Sequence, residues 1–169
     1  EIHLQLVDLL VEHATTFSFK ALYVSRSGIR HNDQALEQLF FNLLCLGVEH
    51  ENSTDRAPLP RSLSFIKDLE SEGPDKLMLA SLKERLATHS GAKYKHELYL
   101  DTFRAVDSRE LIFMQIADLF TSSVNRVLNS PSDGPKDKFA NRMLKAFGMN
   151  YQNTNFESLG DCTSILDIV

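Results

Sequence analysis

The fold class that this sequence of 169 residues predicts is α/β, with helices covering a sheet. Three observations carry that expectation. Apolar residues recur at helical spacing in several long segments, short runs rich in aromatic and β-branched residues fall between them, and Gly, Pro and Ser clusters punctuate the joins. Strands that alternate with helices in this way are expected to share one sheet.

Apolar residues at 2, 6, 9 and 10, with 4, 7 and 11 beside them, predict a first helix over Ile2–Ala14. Phe17–Val24 (FSFKALYV) is aromatic and β-branched, ends at a Ser25-Arg-Ser-Gly28 turn signal and reads as a largely buried strand. Asn32 or Asp33 can cap a helix running to about Val48, with Ala35, Leu36, Leu39, Phe40, Leu43 and Leu44 on its buried face. Glu49–Arg61 holds two prolines and no apolar period, so it is expected as a loop. Ser62–Asp68 alternates like a short strand that ends in a carboxylate. Pro74-Asp75 opens a helix expected over Lys76–Thr88, with Ser90-Gly91 as its stop. Lys95–Phe103 alternates as a strand, with Leu98 and Leu100 on one face and Glu97, Tyr99, Asp101 and Phe103 on the other. Glu110–Asn129 is the strongest helix, closed by Pro131-Ser-Asp-Gly134, and Asp137–Phe147 is a shorter amphipathic helix ended by Gly148. The organisation expected is one α/β domain over 1–149 and an Asn/Ser/Thr-rich polar tail over 150–169.

Composition narrows the function classes. With 43% hydrophobic and 24% charged residues the chain is an ordinary globular sequence. No apolar run approaches the roughly 18 residues that cross a bilayer, so a membrane-spanning helix is excluded. The sequence opens on Glu1 with no basic-then-apolar leader, and no secretory signal is expected. Cys45 and Cys162 are too few for a disulfide framework or a cysteine zinc cluster, which points to a reducing, cytoplasmic setting. The formal charge is −5, yet residues 76–149 carry 12 basic against 8 acidic side chains, while residues 1–75 carry 6 against 12. That basic block is either a phosphate-facing surface or a solvated charged face. The seven glycines form neither a P-loop nor a dinucleotide fingerprint, no Gly-x-Ser-x-Gly turn occurs, and the six histidines show no ligand spacing.

What remains is carboxylates at strand ends and on one helix: Asp68, Asp101, Asp107 and Asp118. Oxygen-only donors of this kind suit Mg²⁺ or Mn²⁺, and a pair of such ions can stabilise both the attacking and the leaving oxygen of phosphodiester cleavage. On the 110–129 helix, Gln115, Asp118, Ser122, Asn125 and Asn129 fall on one stripe opposite Ile116, Phe120, Val124 and Val127. Amides and a hydroxyl around a single carboxylate suit either a cleft-facing surface or a solvated face.

Val106-Asp107-Ser108, followed by Met114-Gln-Ile-Ala-Asp-Leu-Phe120 and Arg126, resembles the closing signature of the bacterial family catalogued as domain of unknown function 3800. That signature is a strand reaching an Asp-Ser pair, a short loop, and a helix opening Leu-Gln-Leu-Ala-Asp-Leu with a basic residue two turns on. The upstream order is similar too, so the resemblance spans roughly residues 15–129. It implies an RNase H-like mixed sheet flanked by helices and metal-dependent phosphodiester cleavage. It implies further that Asp118, Asp68 and Asp107 act as metal ligands for Mg²⁺ or Mn²⁺, that Gln115 and Ser108 orient ligands or phosphate, and that Arg126 and Lys138 meet a nucleic-acid backbone. The family's opening Asp-Glu-Ser-Gly-Asp strand does not occur in these residues, so the N-terminal strands are expected to be missing from them: the site is whole if a preceding segment supplies that strand and short of ligands for two metals if none does.

Two functional expectations follow. The first is an RNase H-like, divalent-metal-dependent nuclease acting on DNA or RNA, in a setting such as a bacterial mobile-element or anti-phage system. The alternative is a catalytically inactive module of the same fold serving as a binding scaffold, with the apolar tail end Ile165–Val169 adding to a partner's sheet edge or to a second copy.

Overall fold

The structure, a computed structural model, describes residues 2–13, 19–23, 33–129, 133–147 and 164–168. In chain order the elements are α1 (Ile2–Glu12), β1 (Phe19–Tyr23), α2 (Asp33–Ser53), β2 (Arg61–Asp68), α3 (Glu72–Tyr94), β3 (Leu98–Val106), α4 (Ile112–Asn129), α5 (Pro135–Ala146) and β4 (Ser164–Ile168). The class is α/β. The single shared sheet is corrected: among the described residues the strands form two sheets of two, β1 with β4 and β2 with β3. Alternation of helix and strand says which elements are neighbours in sequence, but it does not choose the partner of β1, which comes from the far end of the chain.

The chain divides into two compact units, one drawn from Glu1–Ser25 with Gln115–Val169 and the other from Arg26–Met114. In the first unit, Val7 and Leu10 of α1 pack with Phe120 and Val124 of α4 and with Met143, Leu144 and Phe147 of α5 and its end. Phe120 is the hub. Its ring stacks on Phe19 at 4.2 Å between centroids and meets Phe147 edge-on at 4.9 Å. The apolar stripe expected on α4 is the face that is buried, with Ile116 and Val127 packed beside Phe120 and Val124. The tail segment read as an edge for a partner is engaged within the chain: β4 pairs antiparallel with β1, Phe19 opposite Ile168 and Tyr23 opposite Ser164.

In the second unit β2 and β3 run parallel, from Arg61 opposite Leu98 to Asp68 opposite Val106. Parallel neighbours need a long crossover, and α3 is that crossover. Its buried stripe of Met78, Leu79, Leu82, Leu86, Ser90 and Tyr94 steps by about one turn. Leu82 and Leu86 join Cys45 of α2 and Phe65, Leu100 and Phe103 of the strands in one cluster, while Tyr94, Val48 and Leu98 form a second. Arg85 ties the two helices, donating to Glu37 and Gln38 of α2 at 2.7 Å each while its guanidinium lies 4.4 Å over the Phe41 ring.

Three departures from expectation have a visible reason. The helix α3 does not stop at Ser90-Gly91. The Ser90 hydroxyl donates to the Leu98 carbonyl at 3.1 Å instead of competing with the helix backbone, and Gly91 leaves room for the His96 ring, whose Cε1 lies 3.0 Å from where a Cβ would sit. The helix ends later, where Lys95 turns left-handed at φ 49°. The helix α2 continues through five polar residues to Ser53, closed by the Ser53 and Thr54 hydroxyls on the His50 carbonyl. On β3, Leu63 pairs with Leu100 but Phe65 with Phe103, so one extra residue bulges between them. That bulge moves Phe103 onto the core face with Leu100, against the simple alternation that places it opposite.

The N-terminus of α3 is held by a buried ion pair. Lys67 of β2 and Asp75 of α3 are 5% and 6% exposed, and Nζ donates to Oδ1 at 2.5 Å. Asp75 Oδ2 also accepts the N–H groups of Glu70 and Ser71 at 2.9 and 3.0 Å. Burial by itself opposes ionisation of Asp75, but Lys67 and the two N–H donors outweigh it and hold the carboxyl below its ordinary range. Lys67→Met therefore strands a buried carboxylate, and urea unfolding at pH 7 is expected to show a loss of about 3 kcal/mol; a loss under about 1 kcal/mol would contradict the role assigned to the pair. Because the folded value is depressed, Asp75 contributes stability above the unfolded carboxylate pKa of about 3.9, and that part is lost as pH falls through the folded value.

Candidate functional site

Strand alternation sets the site. Lys67 faces the core, so Asp68, the next residue, emerges exposed at the end of β2. Its parallel partner β3 ends at the same level, and the Leu69 N–H donates to the Val106 carbonyl at 2.8 Å, one step past the strand. The chain then turns at Asp107 into a short 3-10 segment, Ser108–Glu110, which leads to α4. Asp68 Oδ1 accepts the Ser108 N–H at 3.1 Å. Two acids far apart in sequence, Asp68 and Asp107, are thereby carried to one end of the parallel pair.

The two carboxylates differ in what they hold. Asp107 caps the 3-10 turn, accepting the Arg109 N–H at 2.9 Å, and its two oxygens take the Arg109 guanidinium through Nε, at 2.9 and 3.1 Å, and through Nη2. The guanidinium and then the N–H of Arg109 hold Asp107 down at about 2, and the carboxylate in turn raises Arg109. The Arg109 side chain is 88% exposed, so only this pairing localises it. Arg109 escapes the sequence reading; the available signal was an Asp at a turn start with a basic residue two positions on. Asp101 is placed elsewhere, in the β3 bulge, where it accepts the Ser64 hydroxyl at 3.1 Å.

The other predicted site residues belong to the first unit. Gln115 and Asp118 are exposed on α4, and Lys138 is exposed on α5. Arg126 is held by α5: its Nε and Nη2 meet Asp137 Oδ1 and Oδ2 at 2.8 and 3.1 Å, and Asp137 is 3% exposed. Asp137 Oδ2 also accepts the Gly134 N–H at 3.1 Å, so one carboxylate caps α5 and orients Arg126.

By type, Asp68 and Asp107 are hard oxygen donors suited to Mg²⁺ or Mn²⁺. By number they do not make a centre alone: among the described residues no group of three or more His, Cys, Asp or Glu side chains converges as a metal site.

Comparison with protein-family models, with curated proteins and with solved structures gives no match. No helix among the described residues is long and apolar enough to cross a membrane.

The Asp107–Arg109 pair makes a direct prediction. In carboxyl-resolved NMR titration Asp107 is expected to titrate at about 2, and in Arg109→Ala to return toward the ordinary carboxylate value of about 3.9. An Asp107 midpoint unchanged by the substitution would contradict the pairing.

Proposed function

We propose that these residues form part of an RNase H-like nuclease that hydrolyses phosphodiesters of DNA or RNA with Mg²⁺ or Mn²⁺. The observation that supports this reading best is the strand-end corner, where the Asp68 carboxylate meets the Ser108 N–H at 3.1 Å and sets Asp107 beside it. In this reading Asp68 and Asp107 are the ligands at the strand end, and Asp118 on α4 is the further acid that the resemblance names, whose part in cleavage the substitution below tests. When bound, the metal would supply charge stabilisation for the attacking and leaving oxygens. The chain's own residues hold and orient: the Ser108 N–H fixes the Asp68 carboxylate, Gln115 stands one helical turn before Asp118, and the exposed Lys138 serves the phosphate backbone, while Arg126 is engaged by Asp137. The reading places the protein in a bacterial cytoplasm, where the buried Cys45 thiol, pushed up to about 11 by burial and Glu49, stays protonated and inert.

A second reading is favoured by one specific observation. The Arg109 guanidinium already neutralises Asp107, as a cation would, which suits a non-catalytic module of the same class that binds protein or nucleic acid.

Asp118→Ala separates them. The residue is exposed, so its melting temperature is expected to stay unchanged while Mn²⁺-dependent cleavage of DNA and RNA oligonucleotides falls to background. Full cleavage by the variant would overturn the nuclease reading. An unsubstituted protein that neither cleaves nor gains thermal stability from Mn²⁺ would leave the scaffold reading in its place.

A further inference from the structure

We propose that the cavity between α4 and α5 is a binding site for a small organic anion with an apolar body. The cavity encloses about 530 Å³, a size typical of small-molecule sites. Leu119, Phe139 and Ala140 line its apolar part, and Ser122, Asn125 and Lys136 bring polar groups to it. Ser122 and Asn125 belong to the stripe of amides and hydroxyls on α4, and both line this cavity.

The polar groups are prepared for a ligand that accepts hydrogen bonds. Asn129 Nδ2 donates to Asn125 Oδ1 at 2.7 Å, which commits the amide oxygen of Asn125 and leaves its NH₂ as the donor. Arg126, also in the lining, is locked by its two bonds to the buried Asp137, so it contributes a rigid planar wall whose charge is balanced inside the protein.

Lys136 is different. It lies in the first turn of α5, at the positive end of the helix dipole, where a cation is disfavoured and an anion is welcome. No carboxylate appears among the described lining residues. With Asp137 already capping the helix end, an anionic group seated in the cavity would meet the Lys136 ammonium, while the apolar body covers Leu119 and Phe139. The required ligand class is therefore an aryl or alkyl carboxylate, sulfonate or phosphate, and the inference does not depend on the metal chemistry.

Naphthoate and its neutral isostere naphthamide test the proposal, with dodecanoate alongside to tell an aromatic from an alkyl body. In titrations followed by amide NMR, at least one of the two anions is expected to shift the signals of Ser122, Asn125 and Phe139. With naphthoate as the anion that binds, naphthamide is expected to bind about tenfold more weakly. Lys136→Glu is expected to weaken the anion by about tenfold or more, because it reverses the charge at an exposed position. Ser122→Phe, also at an exposed position, is expected to fill the mouth and abolish binding with the melting temperature unchanged. Failure of both anions to shift the lining residues, equal affinity for naphthoate and naphthamide, or unchanged affinity in both variants would overturn the proposal.

Discussion

The buried contact between Lys67 and Asp75 is the constraint on which the second unit rests. A lysine and an aspartate that are 5% and 6% exposed are tolerated there because each is the other's partner and because two backbone N–H groups complete the carboxylate. The pair joins the end of β2 to the first turn of α3, so it fixes where the crossover helix starts and hence how it returns to lay β3 parallel to β2. It also decides which way the next residue faces. With Lys67 turned inward, the alternation of the strand turns Asp68 outward, into reach of the Ser108 N–H.

That corner has a division of labour between two carboxylates. Asp68 accepts a backbone donor and stays exposed, which leaves most of its coordination capacity open. Asp107 is claimed by its own neighbour Arg109, in a bidentate pair formed on the surface where solvent competes. A hard cation entering the corner would have to displace a guanidinium whose side chain is 88% exposed, a rearrangement of one side chain without movement of the backbone.

Much of the local structure was legible from pattern. The buried stripe of α4 and the strand ending in Asp68 follow from periods of 3.6 and 2, whereas β3 lies at Leu98–Val106, three residues later than the alternation over Lys95–Phe103 placed it. Most of the misses come from contacts between separate segments, and one comes from local capping. Ser90 looks like a helix stop until the Leu98 carbonyl takes its hydroxyl. Phe103 looks outward-facing until a bulge against β2 shifts it onto the core side. The polar end of α2 lost the apolar period after Val48, yet side-chain caps on the His50 carbonyl carry the helix to its end. The partner of β1 was not readable at all, since β4 lies at the opposite end of the chain. For the site, the convergence of Asp68 with Asp107-Ser108 follows from parallel strands of matched length, whereas the neutralising role of Arg109 depends on a turn geometry that spacing only hints at.

In the nuclease proposed above, the carboxylates that the parallel strand pair brings to its end take a hard cation. Adding Mn²⁺ stepwise to the isotopically labelled protein tests this most directly, because the paramagnetic ion broadens the signals of nearby amides. Binding at this corner is expected to cause early and selective loss of the Asp68 and Ser108 signals while those of the buried Leu82 and of Leu98, at the other end of the strand pair, persist. Uniform broadening, or none at the strand end, would contradict it.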